Sequence, residues 1–423
     1  MEVQHALNSG REYYELKACR ICRSDGCYDV LDLGYHPLAD TFLSKEQLSE
    51  PEVFYPLKIQ ACRRCGLLQT KYVVSGYLRY QINPYCYESS SSSTAVKHFT
   101  SLAERVSRFL DIERSGLVVD IGSNVGVLLR AFKDLGLEIM GVDPSPNICA
   151  KANSAGVETL NDFFNGDSAK RIVWSKGKAA VITATNVFNH ADDLYAFMEA
   201  ADILLQKKGT LVIEVPYLLS LIANLAYDTI YHEHVSYFSM ASLRFFFHKV
   251  GYEIFHAEVN DYLGGTLRLF VGRGQEHQPD NSIDELTSME SSAKLHDENT
   301  LTTFAGNVYR ARDELVALLY GLKREGKKIV GVGAPTKGNT LLNFCRIGTN
   351  ILDFVSDVLP EKLGRFTPGT HIPIVTDETV RVTNPDYALL LSWNLADEII
   401  RKVRNTLKYK GKFIVPVPFP RII

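Results

Sequence analysis

The sequence predicts an α/β chain in three parts: a small N-terminal zinc-binding domain (1–86) followed by two Rossmann-like α/β/α domains (87–300 and 301–423). Three observations carry this. Two Cys-x-x-Cys pairs stand near the N-terminus, strand–loop–helix alternation begins after residue 98, and a second such series begins near Leu301. Length agrees, because 423 residues exceed one core, and roughly 150 residues per domain gives about three domains.

Apolar residues make up 46% and charged residues 22%, the balance of an ordinary globular protein with a sizeable core. A net charge of −3 argues against a broad phosphate-binding surface, so no nucleic-acid partner is expected. The opening segment has no apolar stretch of leader length, and no apolar run approaches the roughly 18 residues of a membrane span. A cytoplasmic protein without membrane attachment is expected. Heptad repeats are lacking, so a monomer is expected. In a reducing compartment the eight cysteines are thiols or metal ligands rather than a disulfide framework.

Cys19, Cys22, Cys62 and Cys65 form two thiolate pairs, each able to bind one metal from a tight turn. Together they make a closed tetrahedral set for structural zinc, with no open position for catalysis. Cys27 and His36 lie between the pairs as possible spare ligands.

An amphipathic helix around Phe99 to Leu110 leads into a buried strand, 116–122, and a helix from Val125 to Leu135. A second strand, 138–143, ends on Asp143, and Pro144 opens the next helix. Strands at Ala179 to Thr185 and Thr210 to Val215 flank a helix from Asp192 to Leu205, completing a doubly wound pattern. The first loop, Asp120-Ile121-Gly122-Ser123-Asn124-Val125-Gly126, brings backbone close to a ligand but lacks the G-x-G-x-x-G of a dinucleotide site. S-adenosylmethionine (SAM) has no pyrophosphate and suits such a loop better than NAD. Asp143 is placed to accept from ribose hydroxyls, or alternatively to cap the helix at Pro144.

The densest titratable cluster is Tyr231-His232-Glu233-His234, on the loop before a helix that Ser239 caps and Gly251 stops. Asn186 and His190 after the Ala179 strand, and Tyr87 with the serines Ser89 to Ser93, could supply partners.

At these residues the chain resembles the sugar C-methyltransferases, which methylate a carbon of nucleotide-linked 4-keto-6-deoxyhexoses. The resemblance spans both CxxC pairs, Tyr85-Cys86-Tyr87-Glu88-Ser89-Ser90, the Asp-Ile-Gly loop, Tyr231-x-Glu233-His234 and a C-terminal signature. That signature runs from Gly331 to Thr340, then Gly364 to Pro373, then Ser392-Trp393-Asn394. Cys86 stands where proline is common, and residues 356–360 are less polar than in many relatives. The resemblance implies a catalytic base at His234, with Tyr231, Glu233, His190 and Tyr87 around a small sugar substrate. A C4 ketone acidifies the neighbouring carbon, and the resulting enolate takes the methyl group. SAM would meet Asp120, Gly122, Ser123, Asn124, Gly126, Asp143, Pro144 and Asn186. The nucleotide sugar would meet Ser90, Lys337, Asn339, Arg365 and His371.

In the C-terminal part, Gly331-x-Gly333 is half of a dinucleotide fingerprint, but Thr336 replaces the third glycine. An NAD-dependent reductase is the rival enzyme class. These glycines either admit phosphate or permit close strand–helix packing. An O- or N-methyltransferase would use the same cofactor loop without needing a base suited to carbon acids.

Overall fold

The computed structural model describes residues 12–423 other than Arg114 and Gln275. The opening segment, 1–11, read above as lacking a leader, lies outside them. Among the described residues no helix is long and apolar enough to cross a membrane.

The N-terminal part is built on an antiparallel sheet of Cys27–His36, Tyr55–Cys62 and Leu68–Thr70. Its fourth strand, Ser236–Tyr237, comes from far along the chain and pairs with Leu68 and Gln69. A segment just after the titratable cluster therefore completes the sheet that carries two of the cysteines.

The middle sheet has seven strands in the order 252–260, 266–273, 205–216, 179–185, 117–121, 138–143, 159–161. The last five are parallel, and the first two form an antiparallel hairpin on one edge. Both faces are buried, which explains the continuous apolar runs of the central strands. Val118, Val181 and Val212 pack under the helices Ser93–Leu110 and Val127–Asp134. Val119, Ile182 and Ile213 face the opposite layer of Leu194–Leu204 and Met240–Lys249. Ser239 caps the latter helix through a capping box with Ser242, and the buried Glu290 carboxylate accepts from the Met240 and Ala241 amides. Replacing Glu290 with Ala leaves these amides unpaired and is expected to cost about 1–3 kcal/mol in a urea unfolding experiment.

The 27-residue helix Glu298–Arg324 crosses the expected boundary at residue 300. Its apolar stripe, Leu301, Phe304, Val308, Leu315, Leu319 and Leu322, joins one core with Leu31 and Leu33 of the N-terminal sheet and Leu341 of the C-terminal part. The second Rossmann-like sheet has six strands in the order 374–376, 355–357, 329–332, 387–390, 412–415, 421–422, parallel except for the last. The second strand of this sheet in chain order, Val355–Asp357, is only three residues long and is preceded by turns.

The two Rossmann-like units repeat one device. Asp143 ends the second strand of its sheet and accepts from the amides of Asn124 (3.0 Å), in the loop after the first strand, and Ser145 (2.9 Å). Asp357 does the same with Ala334 (2.7 Å) and Leu359 (2.9 Å). In both, the carboxylate fixes the shape of the first strand–helix loop.

Candidate active site

The four cysteine sulfurs lie within 4.8 Å of one another and are buried, with Cys19–Cys65 at 3.5 Å and Cys22–Cys62 at 3.4 Å. Zinc–thiolate bonds of about 2.3 Å set tetrahedral edges of roughly 3.8 Å, so the set fits zinc. Neither possible spare ligand is in the set. His36 is committed to the Leu33 carbonyl at 2.9 Å, and Cys27 lies beside the cluster, opposite Cys62 in the sheet.

A cavity of about 1000 Å³ opens over the ends of the middle strands and runs from Asp120 and Asp143 to His190 and His234. At the first end, Gly122 has φ +65° and an added Cβ would lie 2.3 Å from Val187, so only glycine keeps this loop close to its neighbour. Asn124 and Asn186 hold left-handed φ of 52° and 54°, the kind of strain found where a ligand is gripped. Asp120 is bound by the Thr183 hydroxyl at 2.6 Å, and burial pushes its carboxyl up to about 7. Asp143 points its carboxylate at loop amides. Ser145, not Asp143, precedes the helix Pro146–Ser154. A carboxylate has about four lone-pair directions, so two remain for hydroxyls. The buried Ser123 Oγ and Asn186 Oδ1 have no partner among the described residues. Asp162 and Phe163, which the sequence reading missed, line the same end.

At the other end His234 Nε2 meets the Tyr231 hydroxyl at 2.8 Å, and the rings of His190 and His234 lie edge to face at 4.8 Å. Burial pushes the His234 imidazolium down to about 3, opposed by the nearby Thr229 carbonyl. His190 is also held well below its ordinary value, by burial and then by His234 and Arg79. Both rings are therefore neutral. His190 Nδ1 meets the Tyr80 hydroxyl at 2.7 Å, leaving its buried Nε2 without a partner among the described residues. Glu233, expected around the sugar, is not in the cavity wall; it stands behind it, accepting from the Tyr85 hydroxyl at 3.2 Å with its carboxylate 4.0 Å from His190 Nδ1. Burial, with Asp40 next, raises its carboxyl to about 8. Tyr87 lines the cavity, and its carbonyl accepts from Asn124. Cys86 donates its amide to the buried Asp40 at 3.0 Å, a bond that proline could not make.

Five further expected contacts need correction. Ser90 is exposed outside the cavity, and its neighbour Ser89 lines the wall, donating to Asn124. Gly126 is not in the wall; an added Cβ would meet Val157 at 2.7 Å. Asn339 is buried and donates to the Ala39 carbonyl at 2.6 Å. Arg365 donates to the Phe42 carbonyl, and His371 pairs with Glu52 at 2.8 Å. These last three fasten the C-terminal part to the N-terminal one. Lys337 does line the cavity, with Nζ 4.6 Å from the Trp393 ring centroid. Trp393 in turn donates to the buried Asp228 at 2.6 Å. The C-terminal glycines serve packing: a Cβ on Gly331 would meet Val355 at 2.8 Å, and one on Gly333 would meet Ser392 at 2.8 Å.

The buried histidines imply a pH dependence of stability. Burial lowers His36 to about 4 and His232 to about 3, whereas both return to about 6.5 when unfolded. Their contribution is intact above about pH 6.5 and is lost as pH falls toward these folded values, by up to ~1.4 kcal/mol per pH unit each. Urea midpoints should fall from pH 7 to pH 5, and less steeply for His232→Gln.

A doubly wound sheet with a carboxylate at the end of its second strand, open to a cleft with two buried histidines, is the arrangement expected of a SAM-dependent methyltransferase. Family models match in the same order: a zinc binding domain at 19–77, a methyltransferase domain at 96–257 and a C-methyltransferase C-terminal domain at 261–418. The C-methyltransferase NovU of Streptomyces niveus is 34% identical over 406 residues, 96% of each chain. The chain belongs to the sugar C-methyltransferase family and is a SAM-dependent C-methyltransferase. Magnesium protoporphyrin IX methyltransferase of Synechocystis PCC 6803 is similar over 43% of this chain and 82% of its own, at 16% identity and TM-score 0.33. The plantazolicin methyltransferase BpumL is similar over 43% and 86%, at 12% identity and TM-score 0.36. Likeness at these scores carries no argument about activity.

Proposed function

We propose that the enzyme methylates C3' of a nucleotide-linked 4-keto-6-deoxyhexose, in deoxysugar biosynthesis, with His234 as the base. The Tyr231–His234 contact inside the large cavity carries this reading. SAM, when bound, supplies an electrophilic methyl group on a sulfonium. Asp143, with lone-pair directions left over from its two loop amides, would hold the ribose hydroxyls, Asp162 and Phe163 would flank the adenine, and Asn186 and Ser123 would offer their unpaired oxygens. A 1000 Å³ cavity lies at the top of the range for a single small-molecule site, which supports two ligands side by side.

A neutral imidazole can take the proton that an imidazolium could not. His234 removes the hydrogen from the carbon beside the ketone, and the electron pair moves to the C4 oxygen. The Tyr231 and Tyr87 hydroxyls or the unpaired His190 nitrogen can donate to that oxyanion, and donors already in place are worth most in a water-poor site. With SAM held beside it, this carbon would take the methyl group as the sulfur–methyl bond breaks, leaving the neutral thioether. Glu233 orients the loop from behind, and Lys337 meets the diphosphate. Replacing Asp143 with Asn is expected to weaken SAM binding by about 10- to 100-fold in calorimetry, because hydrogen bonds to a charged acceptor are lost. Unchanged affinity would remove Asp143 from the ribose site.

A further inference from the structure

One of the zinc knuckles also reaches the loops that carry the active-site histidines. Arg20 stands between the ligands Cys19 and Cys22 and is 3% exposed, yet its guanidinium bonds to neither of them. Its Nη1 donates to the Ala191 carbonyl (3.1 Å) and the Ser236 hydroxyl (3.0 Å), and its Nη2 to the Asp192 carbonyl (3.1 Å). Ala191 and Asp192 directly follow His190, and Ser236 lies two residues after His234. One planar fork thus spans the two loops that carry the paired histidines. The loops are joined once more where the Val235 amide donates to the Asn189 carbonyl at 2.9 Å.

The knuckle itself is anchored. The Arg20 amide donates to Gln69 at 3.0 Å, and the Ile21 carbonyl accepts from the Tyr195 hydroxyl and from Lys249 at 3.2 Å. A second buried arginine repeats the pattern from the helix Gly76–Tyr80. Arg79 donates to the carbonyls of Val74 (3.0 Å), His190 (3.2 Å) and Glu233 (3.4 Å), and pairs with the Asp192 carboxylate. Arginine suits both places because its donors lie in a fixed plane, whereas lysine offers a single point charge.

We propose that Arg20 is a positioning residue, through which the metal-bound Cys19–Cys22 turn sets the spacing of His190 and His234. The inference rests on reading that cleft as the catalytic centre. Misplacement by about 1 Å can cost on the order of 10²-fold in rate, so the metal site acts on turnover as well as on folding.

The test uses the full-length zinc-loaded protein with Arg20→Lys, and Ser236→Ala as a second variant that leaves the knuckle untouched. Zinc content, SAM affinity, kcat and KM, and amide exchange at 189–193 and 234–237 are measured. Amide exchange needs no substrate, so the positioning claim is read even if the substrate assignment fails. For Arg20→Lys the expected result is one zinc per chain, SAM affinity within about threefold, kcat lowered about 10- to 100-fold with little change in KM, and faster exchange in both segments. Ser236→Ala should shift exchange the same way by a smaller amount. Unchanged exchange and kcat with zinc retained would overturn the proposal. So would loss of zinc from Arg20→Lys with normal exchange in Ser236→Ala, because Arg20 would then serve the metal site alone.

Discussion

The His234→Asn enzyme loses about 10²- to 10⁴-fold in kcat, the usual worth of a positioned general base, while SAM binding stays within about twofold. The separation follows from the cavity. His234 and Tyr231 lie at the opposite end from Asp143, so the substitution reaches the proton-transfer site without touching the loop proposed for the ribose. Asn keeps much of the size and polarity of the ring but cannot accept a proton from carbon. Tyr231→Phe removes only the hydroxyl at 2.8 Å and should lose less than His234→Asn. Single-turnover kinetics with isothermal calorimetry reads both quantities. A His234→Asn kcat within threefold of the parent would remove His234 from the role of base.

Removal of zinc has the largest expected effect on stability. Structural zinc binding is worth on the order of 10 kcal/mol, comparable to the whole stability of a domain. Cys62 ends a strand of a short sheet, and Cys65 lies in the turn that leads to the next; the fourth strand of that sheet belongs to the methyltransferase segment, so unfolding there also exposes residues next to His234. Chelation, or Cys62→Ser, should lower the thermal midpoint by about 10 °C or more and abolish turnover. An unchanged midpoint in protein shown to be metal-free would contradict a structural role.

The elements that the sequence predicted well are those set by local chemistry. Strands 138–143 and 179–185 lie where apolar runs end on turn signals, and Ser239 caps its helix because hydroxyl and amide are three residues apart. The cysteine pairs were legible for the same reason: CxxC is a local geometry. Arg20 and Arg79 were not, since an arginine's partners 111 to 216 positions away leave no mark on its own neighbours in sequence. Asp162 and Phe163 follow Thr159–Asn161, a strand of three residues that is too short to stand out as an apolar run. The opposite error occurred at Asn339, Arg365 and His371. Long shared motifs made them look like ligand contacts, whereas their side chains secure the N-terminal part through Ala39, Phe42 and Glu52. A motif records that a side chain is needed, without recording what it touches.

The most direct test of carbon methylation is mass spectrometry and NMR of the product formed from SAM and a thymidine-diphospho-4-keto-6-deoxyhexose in deuterated water. The account predicts one added methyl on a ring carbon beside the ketone, loss of that carbon's original hydrogen, and neither event with His234→Asn. A methyl found on oxygen or nitrogen, with the carbon-bound hydrogen retained, would contradict it.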